Sequence, residues 1–452
     1  MNTAKKISKD LSAERALELV KSGDRVYIHP GCATPEPLTK ALAARAPMLR
    51  AVEVVHLLTF GDADYIRPEM EGHFRHTAFF IGANVRGAVN AGRADYTPIY
   101  LHEVERLFTD GTMPIDVALI QVSPPEAHGF CSLGVGVDTT LTAAMNARIV
   151  IAEVNEQMPH TMGDTFIHKS AIDVMVRTSR PLLELPRRPI TELERRIGRN
   201  VAHLVDDGAT LQMGIGGIPD AVLLHLRDKN DLGVHSEMFS DGIMDLVKLG
   251  VITCYRKTLH PNKIVAGFAL GTKDLFDFLD YNPLIEMHPV HYTNDPFVIA
   301  QNDNMVAINS ALQVDLTGQV CSDSIGQSCY SGFGGQTDFI RGAARSRGGK
   351  PIIALPSTAR GGAVSRIVPI LDPGAGVVDT RADVHYIVTE HGVANLFGKS
   401  IRERARELIR VAAPQFRDWL ADAAARAHIL PCERPAVAAA HSEETRSEEC
   451  VP

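Results

Sequence analysis

Cysteine is scarce: the 452 residues hold seven, at positions 32, 131, 254, 321, 329, 432 and 450, and none forms a Cys-x-x-Cys pair. An odd, scattered set excludes a disulfide framework and a cysteine-based zinc site, and fits a reducing compartment. Long apolar runs are missing as well. Nothing approaches the roughly 20 consecutive apolar residues of a membrane-spanning helix, so a membrane-embedded function is excluded. Blocks of like charge are also absent: a net charge of −8 is spread over many segments, which leaves no electrostatic footprint for nucleic acid or an anionic membrane. An anionic ligand must therefore be held by local groups. The first residues carry Lys5, Lys6 and Lys9 but soon Asp10, Glu14 and Glu18, with no apolar core of a secretory leader behind them; a cytoplasmic location is expected.

What is present reads as a soluble α/β enzyme. Hydrophobic residues make up 45% and charged residues 22%, with 36 Gly and 26 Pro. The length favours two or three domains. One pattern occurs twice: an amphipathic helix, a short polar turn, an apolar strand, a Gly-rich turn and a second helix, which is the unit of a parallel sheet. In the first copy, Ala13–Lys21 is helical, Arg25–His29 is a strand, and residues 30–35 lead into a helix from about Pro37. In the second, Ile197–Val205 is helical, Thr210–Met213 is a strand, and Gly214–Pro219 opens a helix over Asp220–Leu226. A fainter echo sets the strand run from Asp116 to Ile120 beside the run from Asp383 to Ile387. The expected fold is two related α/β halves with mainly parallel sheets. Pro181, Pro186 and Pro189 mark a linker, because proline continues neither a helix nor an inner strand. The halves are thus expected at residues 1–188 and 189–430, with 431–452, rich in Pro, Ala, Glu and Ser, a disordered tail.

Four motifs could carry chemistry. In Gly214-Ile215-Gly216-Gly217-Ile218-Pro219 a strand ends in glycines and a helix begins, so main-chain N–H groups and the helix dipole can face a phosphate; a plain tight turn is the competing reading. About twenty residues later His235-Ser236-Glu237-Met238 places a carboxylate at the carboxyl end of an apolar strand, where open α/β sheets bind their ligands. A helix-capping or surface acid is the alternative. Gly332-Phe333-Gly334-Gly335-Gln336 precedes a helix reaching Ala344 and could supply oxyanion donors, or could be a flexible loop. In Glu390-His391-Gly392 the His could act as acid or base, but a structural role is favoured. His73 and His76 invite a metal, yet lack convincing further ligands, so no metal site is expected.

Together these four motifs, in this order, resemble the acetyl-CoA hydrolase/transferase family of CoA-transferases. Glu69-Met70-Glu71-Gly72-His73-Phe74-Arg75-His76, Gln121-Val122-Ser123-Pro124-Pro125, Glu153–Pro159 and Pro356-Ser357-Thr358-Ala359 fit the same resemblance, which spans roughly residues 10–428. It implies a CoA-transferase fold of the NagB/RpiA-like kind. It also implies transfer of CoA between acyl-CoA and a short carboxylate through a glutamyl-CoA thioester. The catalytic residues it implies are Glu237 and Gly335. The CoA-binding residues are Gly214, Ile215, Gly216, Gly217 and Ile218 in one loop and Gly332, Gly334, Gly335 and Gln336 in the other. Coenzyme A enters as substrate, no tightly bound cofactor is implied, and a homodimer or larger homo-oligomer is expected. Acyl-CoA hydrolysis and CoA binding without catalysis are the alternative functions.

Overall fold

The computed structural model describes residues 9–431; the expected tail therefore lies outside the described residues apart from Pro431. Two sheets organise them. The first has eight strands, all parallel, in the order Lys9–Asp10, Val174–Thr178, Ile149–Asn155, Val117–Val122, Arg25–Ile28, Val52–His56, Phe74–Ala78, Ala94–Tyr96. The second has six, in the order Gly233–Val234, Thr210–Met213, Met305–Ser310, Lys350–Ala354, Tyr386–Thr389, Gly392–Asn395, of which only the last pair is antiparallel. Strands such as Val117–Val122 are buried at every residue, as expected when helices cover both faces of a parallel sheet.

The strand order repeats. Arg25–Ile28 lies between the next strand in sequence, Val52–His56, and Val117–Val122, and Thr210–Met213 likewise lies between the next one, Gly233–Val234, and Met305–Ser310. The fainter echo is corrected by the same comparison. Val117–Val122 lies directly beside Arg25–Ile28, and its counterpart beside Thr210–Met213 is Met305–Ser310; Tyr386–Thr389 lies two strands further out. Doubly covered strands are all short apolar runs, so composition alone cannot pair them.

Helix limits move for local reasons. The helix expected from Ile197 begins at Glu192, because Thr191 and Glu194 form a reciprocal capping box, and it ends at Ala202. The next helix runs Gly217–Leu224. It places Pro219 in its first turn, where the missing N–H has no intrahelical partner to lose. The two helices pack closely across Gly198, whose absent side chain leaves room for the main chain of Ala221. Residues 179–191 pass between the sheets without helix or strand.

The halves share one apolar core, running from Tyr27 and Val55 through Leu211 and Phe239 to Val388. Polar contacts tie them further. Asn90 Nδ2 donates to Cys329 O at 2.8 Å, His291 Nδ1 pairs with Glu105 at 2.7 Å, and His102 Nδ1 pairs with Asp338 at 2.8 Å. Cys32, Cys131, Cys254, Cys321 and Cys329 are free thiols, in line with the reading of the scattered cysteines. Among the described residues no helix is long and apolar enough to cross a membrane.

Candidate active site

Glu237 sits where two hydrogen-bond ladders meet. Before it, His235 N–H donates to Leu211 O and Ser236 N–H to Val265 O, each at 3.0 Å; behind it, Gly267 and Phe268 N–H donate to the Glu237 carbonyl at 2.9 and 3.0 Å. Ser236 Oγ also donates to Met213 O at 3.3 Å, and His235 Nε2 pairs with Thr293 O at 2.9 Å. The main chain is held on both sides, so the carboxylate has a defined direction.

That direction is toward the Gln336–Arg345 helix. Asn294 Nδ2 donates to Glu237 Oε2 at 3.1 Å, while Thr293 Oγ1 donates to Asn294 Oδ1 at 2.8 Å and fixes which way the amide points. The main-chain N–H of Gly335, at the helix N-cap, also favours the charged carboxylate. A Cβ on Gly335 would fall on both Glu237 Oε2 and Asn294 Nδ2. Only hydrogen fits there. Asp338, in the first helical turn, is buried and accepts from the His102 main-chain N–H at 3.3 Å.

The electrostatics follow from this enclosure. Desolvation pushes the Glu237 carboxyl up to about 7; the Asn294 hydrogen bond opposes it, the nearby Asp338 charge adds to it, and the Gly335 N–H opposes it. Burial likewise raises Asp338, with His102 working against the rise. For His102, burial disfavours the charge, but the hydrogen bond and charge of Asp338 outweigh it and hold the imidazole above its ordinary value. Buried His235 is pushed by desolvation down to about 3 and stays neutral.

The Gly-rich loop before the helix is packed by the other half of the chain. A Cβ on Gly332 would stand 3.1 Å from Phe79 O and 3.2 Å from Phe80 Cα, and Gly334 takes a φ of 51° that favours glycine. Phe333 meets the Tyr100 ring edge-on at 5.9 Å. Gln336 turns inward: its Nε2 donates to Asp379 Oδ2 at 2.6 Å and to Ser322 Oγ at 2.8 Å, so its side chain anchors the helix start.

The other Gly-rich loop opens a separate cleft. Gly216 has a φ of 108°, and neither it nor Gly214 has any atom within 4 Å of where a Cβ would stand. Gly217 is close-packed instead, against Glu194 and Arg188, and Ile218 is buried. The cleft, of about 370 Å³, is lined by Ile215, Gly216, Arg187, Arg188, Ser240 and Asp241. Arg187 is paired with Asp245 at 2.6 Å and Arg188 with Glu194 at 2.6 Å. Thus Glu237 and Gly335 lie side by side, whereas of the Gly214–Ile218 loop only Ile215 and Gly216 line the neighbouring cleft, which Ser240 and Asp241, just past Glu237, also line.

The remaining motif residues make contacts within the fold. Glu390 accepts from Ser357 N–H at 2.9 Å and Ser357 Oγ at 2.6 Å, which fastens the Thr389-Glu390-His391 corner. Buried His76 stacks on His56 at 4.1 Å and pairs with Val54 O, while His73 pairs with Leu49 O at 2.9 Å. Sequence reasoning missed Asn294, Asp338 and His102. Asp338 lies one residue past Gln336-Thr337, but nothing local distinguishes it from a first-turn acid.

Comparison with known proteins bears on this arrangement. The N-terminal domain model of acetyl-CoA hydrolase/transferase matches residues 2–183, and the C-terminal domain model matches residues 271–424. The chain belongs to the acetyl-CoA hydrolase/transferase family. Glu237 and Gly214–Ile218 lie between the two matched ranges, but similarity to individual family members runs through them. The chain is 54% identical over 410 residues to a 4-hydroxybutyrate coenzyme A transferase of Clostridium kluyveri, covering 91% of this chain and 96% of that one. It is 51% identical over 418 residues to a succinyl-CoA:acetate/propanoyl-CoA:succinate CoA transferase of Fasciola hepatica, covering 91% and 87%. Among solved structures, a 4-hydroxybutyrate CoA-transferase of Porphyromonas gingivalis superposes with a TM-score of 0.81 at 43% identity, covering 93% of this chain and 98% of that one. The fold expected from the sequence is thereby the observed one.

Proposed function

We propose that this chain is an acyl-CoA:carboxylate CoA-transferase with Glu237 as nucleophile. The observation that carries the residue assignment is the carboxylate held by the Asn294 amide and packed against Gly335 at a helix N-terminus. In the reaction, a Glu237 oxygen attacks the thioester carbonyl, the C–S bond breaks, and CoA thiolate leaves an acyl–glutamyl anhydride. The thiolate then attacks the Glu237 carbonyl carbon and expels the carboxylate, giving a glutamyl-CoA thioester. A second carboxylate reverses both steps and leaves with CoA.

Each tetrahedral intermediate needs donors. Asn294 Nδ2 already binds the Glu237 carboxylate and the Gly335 N–H favours its charge, and in the thiolate step this group carries the developing charge. Each such donor is worth on the order of 3 kcal/mol. For the first step, the Gly334 and Gly335 amides are the proposed hole. The loop Gly214–Ile218 and the cleft beside it are proposed to take the CoA, whose remote binding energy is used at the reacting centre. Gln336 then acts by positioning the helix. We extend the reading to 4-hydroxybutyrate with acetyl-CoA and acetate as the exchanging pair, to halves divided at 188/189, and to a cytoplasmic homo-oligomer. Hydrolysis is the alternative; it would admit water to the same intermediates, and mixing protein with acyl-CoA, with and without acetate, while following free thiol separates the two.

Two expected results arise here. Incubation with acyl-CoA and no acceptor should leave CoA joined through Glu237 as a thioester; peptide mass analysis after rapid quenching that finds it on a cysteine, or finds none, rejects the mechanism. The second concerns pH. Only the ionised carboxylate attacks, and its pKa is raised to about 7, so kcat/KM should rise with pH through that value and fall about tenfold per unit below it. Asn294→Ala removes a bond that favours the charged form, so the inflection should move to higher pH. An inflection near the ordinary carboxylate range in both proteins would contradict this placement.

A further inference from the structure

A second cluster of ligating groups lies behind the segment that carries Asn294. Strands Ile264–Ala266, Ile285–Met287 and Met162–Gly163 form a small parallel sheet. Glu286 and His288 fall two residues apart and so face the same side, and His260 joins them from the loop before Ile264. One ligating atom from each can be chosen so that all three lie within 4.8 Å of one another. His260 Nδ1 is 2.9 Å and His288 Nε2 3.6 Å from Glu286 Oε2.

The decisive atom is His288 Nε2. His288 is only 9% exposed, and this nitrogen is fully enclosed with no hydrogen-bond partner. Its other nitrogen, Nδ1, pairs with Asp164 Oδ2 at 2.8 Å. In the neutral ring that bond puts the proton on Nδ1 and leaves a lone pair on Nε2, facing a carboxylate oxygen that also carries lone pairs. Two acceptors face each other across a gap. His260 completes the cluster differently: its outer Nε2 pairs with Tyr292 Oη at 2.6 Å and its Nδ1 with the same Glu286 oxygen at 2.9 Å, a bond that an ion between them would replace. An oxygen partner on the outer nitrogen of each His is how imidazole ligands are oriented around a metal. The neighbouring cations leave the gap free: Lys257 Nζ donates to Val234 O and Lys263 O at 2.8 Å, and Lys263 Nζ donates to Pro283 O at 2.6 Å while approaching only Glu286 Oε1.

We propose that His260, Glu286 and His288 form a zinc site, with Asp164 and Tyr292 orienting the two imidazoles. Two nitrogens and one carboxylate oxygen suit Zn²⁺, with water as the fourth ligand. Ligands about 2.0–2.1 Å from a tetrahedral ion stand roughly 3.3 Å apart, between the two separations measured to Glu286 Oε2. The ion would brace His288 and Tyr292, and through them the Val290–Thr293 helix that leads into Asn294. This departs from the expectation of no metal site, since the spacing of 260, 286 and 288 matches no motif.

The test uses the full chain stripped with a chelator. Zinc titrated in competition with a chromophoric chelator should bind at one ion per chain and raise the melting temperature, and Co²⁺ should give visible bands of a tetrahedral ion. His260→Gln and His288→Gln should each bind at least about tenfold more weakly, and exposed Asp164→Asn, chosen because it spares the core, should weaken binding by about 10- to 100-fold. Melting curves in chelator show which variants fold. No binding by the wild type, or equal binding by the folded variants, overturns the site.

Discussion

Glu237→Gln should reduce CoA transfer by at least about a thousandfold, because the amide keeps the shape of the side chain and loses the nucleophile. Stability should move the other way. The folded protein raises the Glu237 pKa from 4.5 to about 7, so it holds the proton more tightly than the unfolded chain does. The group's favourable contribution is complete below about 4.5 and is lost as pH rises through about 7, after which the buried charge costs about 3 kcal/mol at most. Glutamine escapes that cost. The variant should therefore melt higher than wild type at pH 8, with the gap closing toward pH 5. Parallel melting curves and initial rates measure both effects, and turnover within about tenfold of wild type would remove Glu237 from its role.

Gly335→Ala should lower turnover by about a hundredfold or more while leaving the fold nearly as stable. The sequence invites an explanation from backbone conformation, but the structure gives another. Gly335 has a φ of −90°, which any residue adopts; the positive φ belongs to Gly334. What excludes a side chain is contact, since a Cβ would displace Glu237 Oε2 and Asn294 Nδ2. Both are the ends of side chains that can move, so the fold yields cheaply. The atom displaced is the proposed nucleophile, however, so the chemistry should not. If Gly335 were an ordinary turn residue, alanine would add stability by about 0.4–1 kcal/mol through the unfolded state and leave the rate unchanged. Steady-state kinetics beside a melting curve distinguishes the two outcomes.

Much of the architecture was legible because it is written in short stretches. The Thr210–Met213 strand agrees residue for residue, and the Gly-rich turns sit where strand gives way to helix. Turn chemistry and hydrophobic period act over a few residues, so a chain read locally reveals them. Helix starts were less legible where a capping pair such as Thr191 and Glu194 extends a helix beyond its apolar stripe.

The site divides along the same line. Sequence by itself determined that an acid closely follows a short apolar strand and that two glycine turns stand directly before helices; the structure places that acid at a bend between Gly233–Val234 and Met238–Phe239. Sequence could not determine that Asn294 reaches Glu237 across 57 positions, or that His102 meets Asp338 across 236. Nor could it show that Glu237, an ordinary carboxylate in an unfolded chain, becomes one poised near neutrality. That change comes from desolvation, which depends on every atom folded around the group and not on the residues beside it in the chain. The identity of the acid was local information; its direction, partners and proton affinity belong to the tertiary structure.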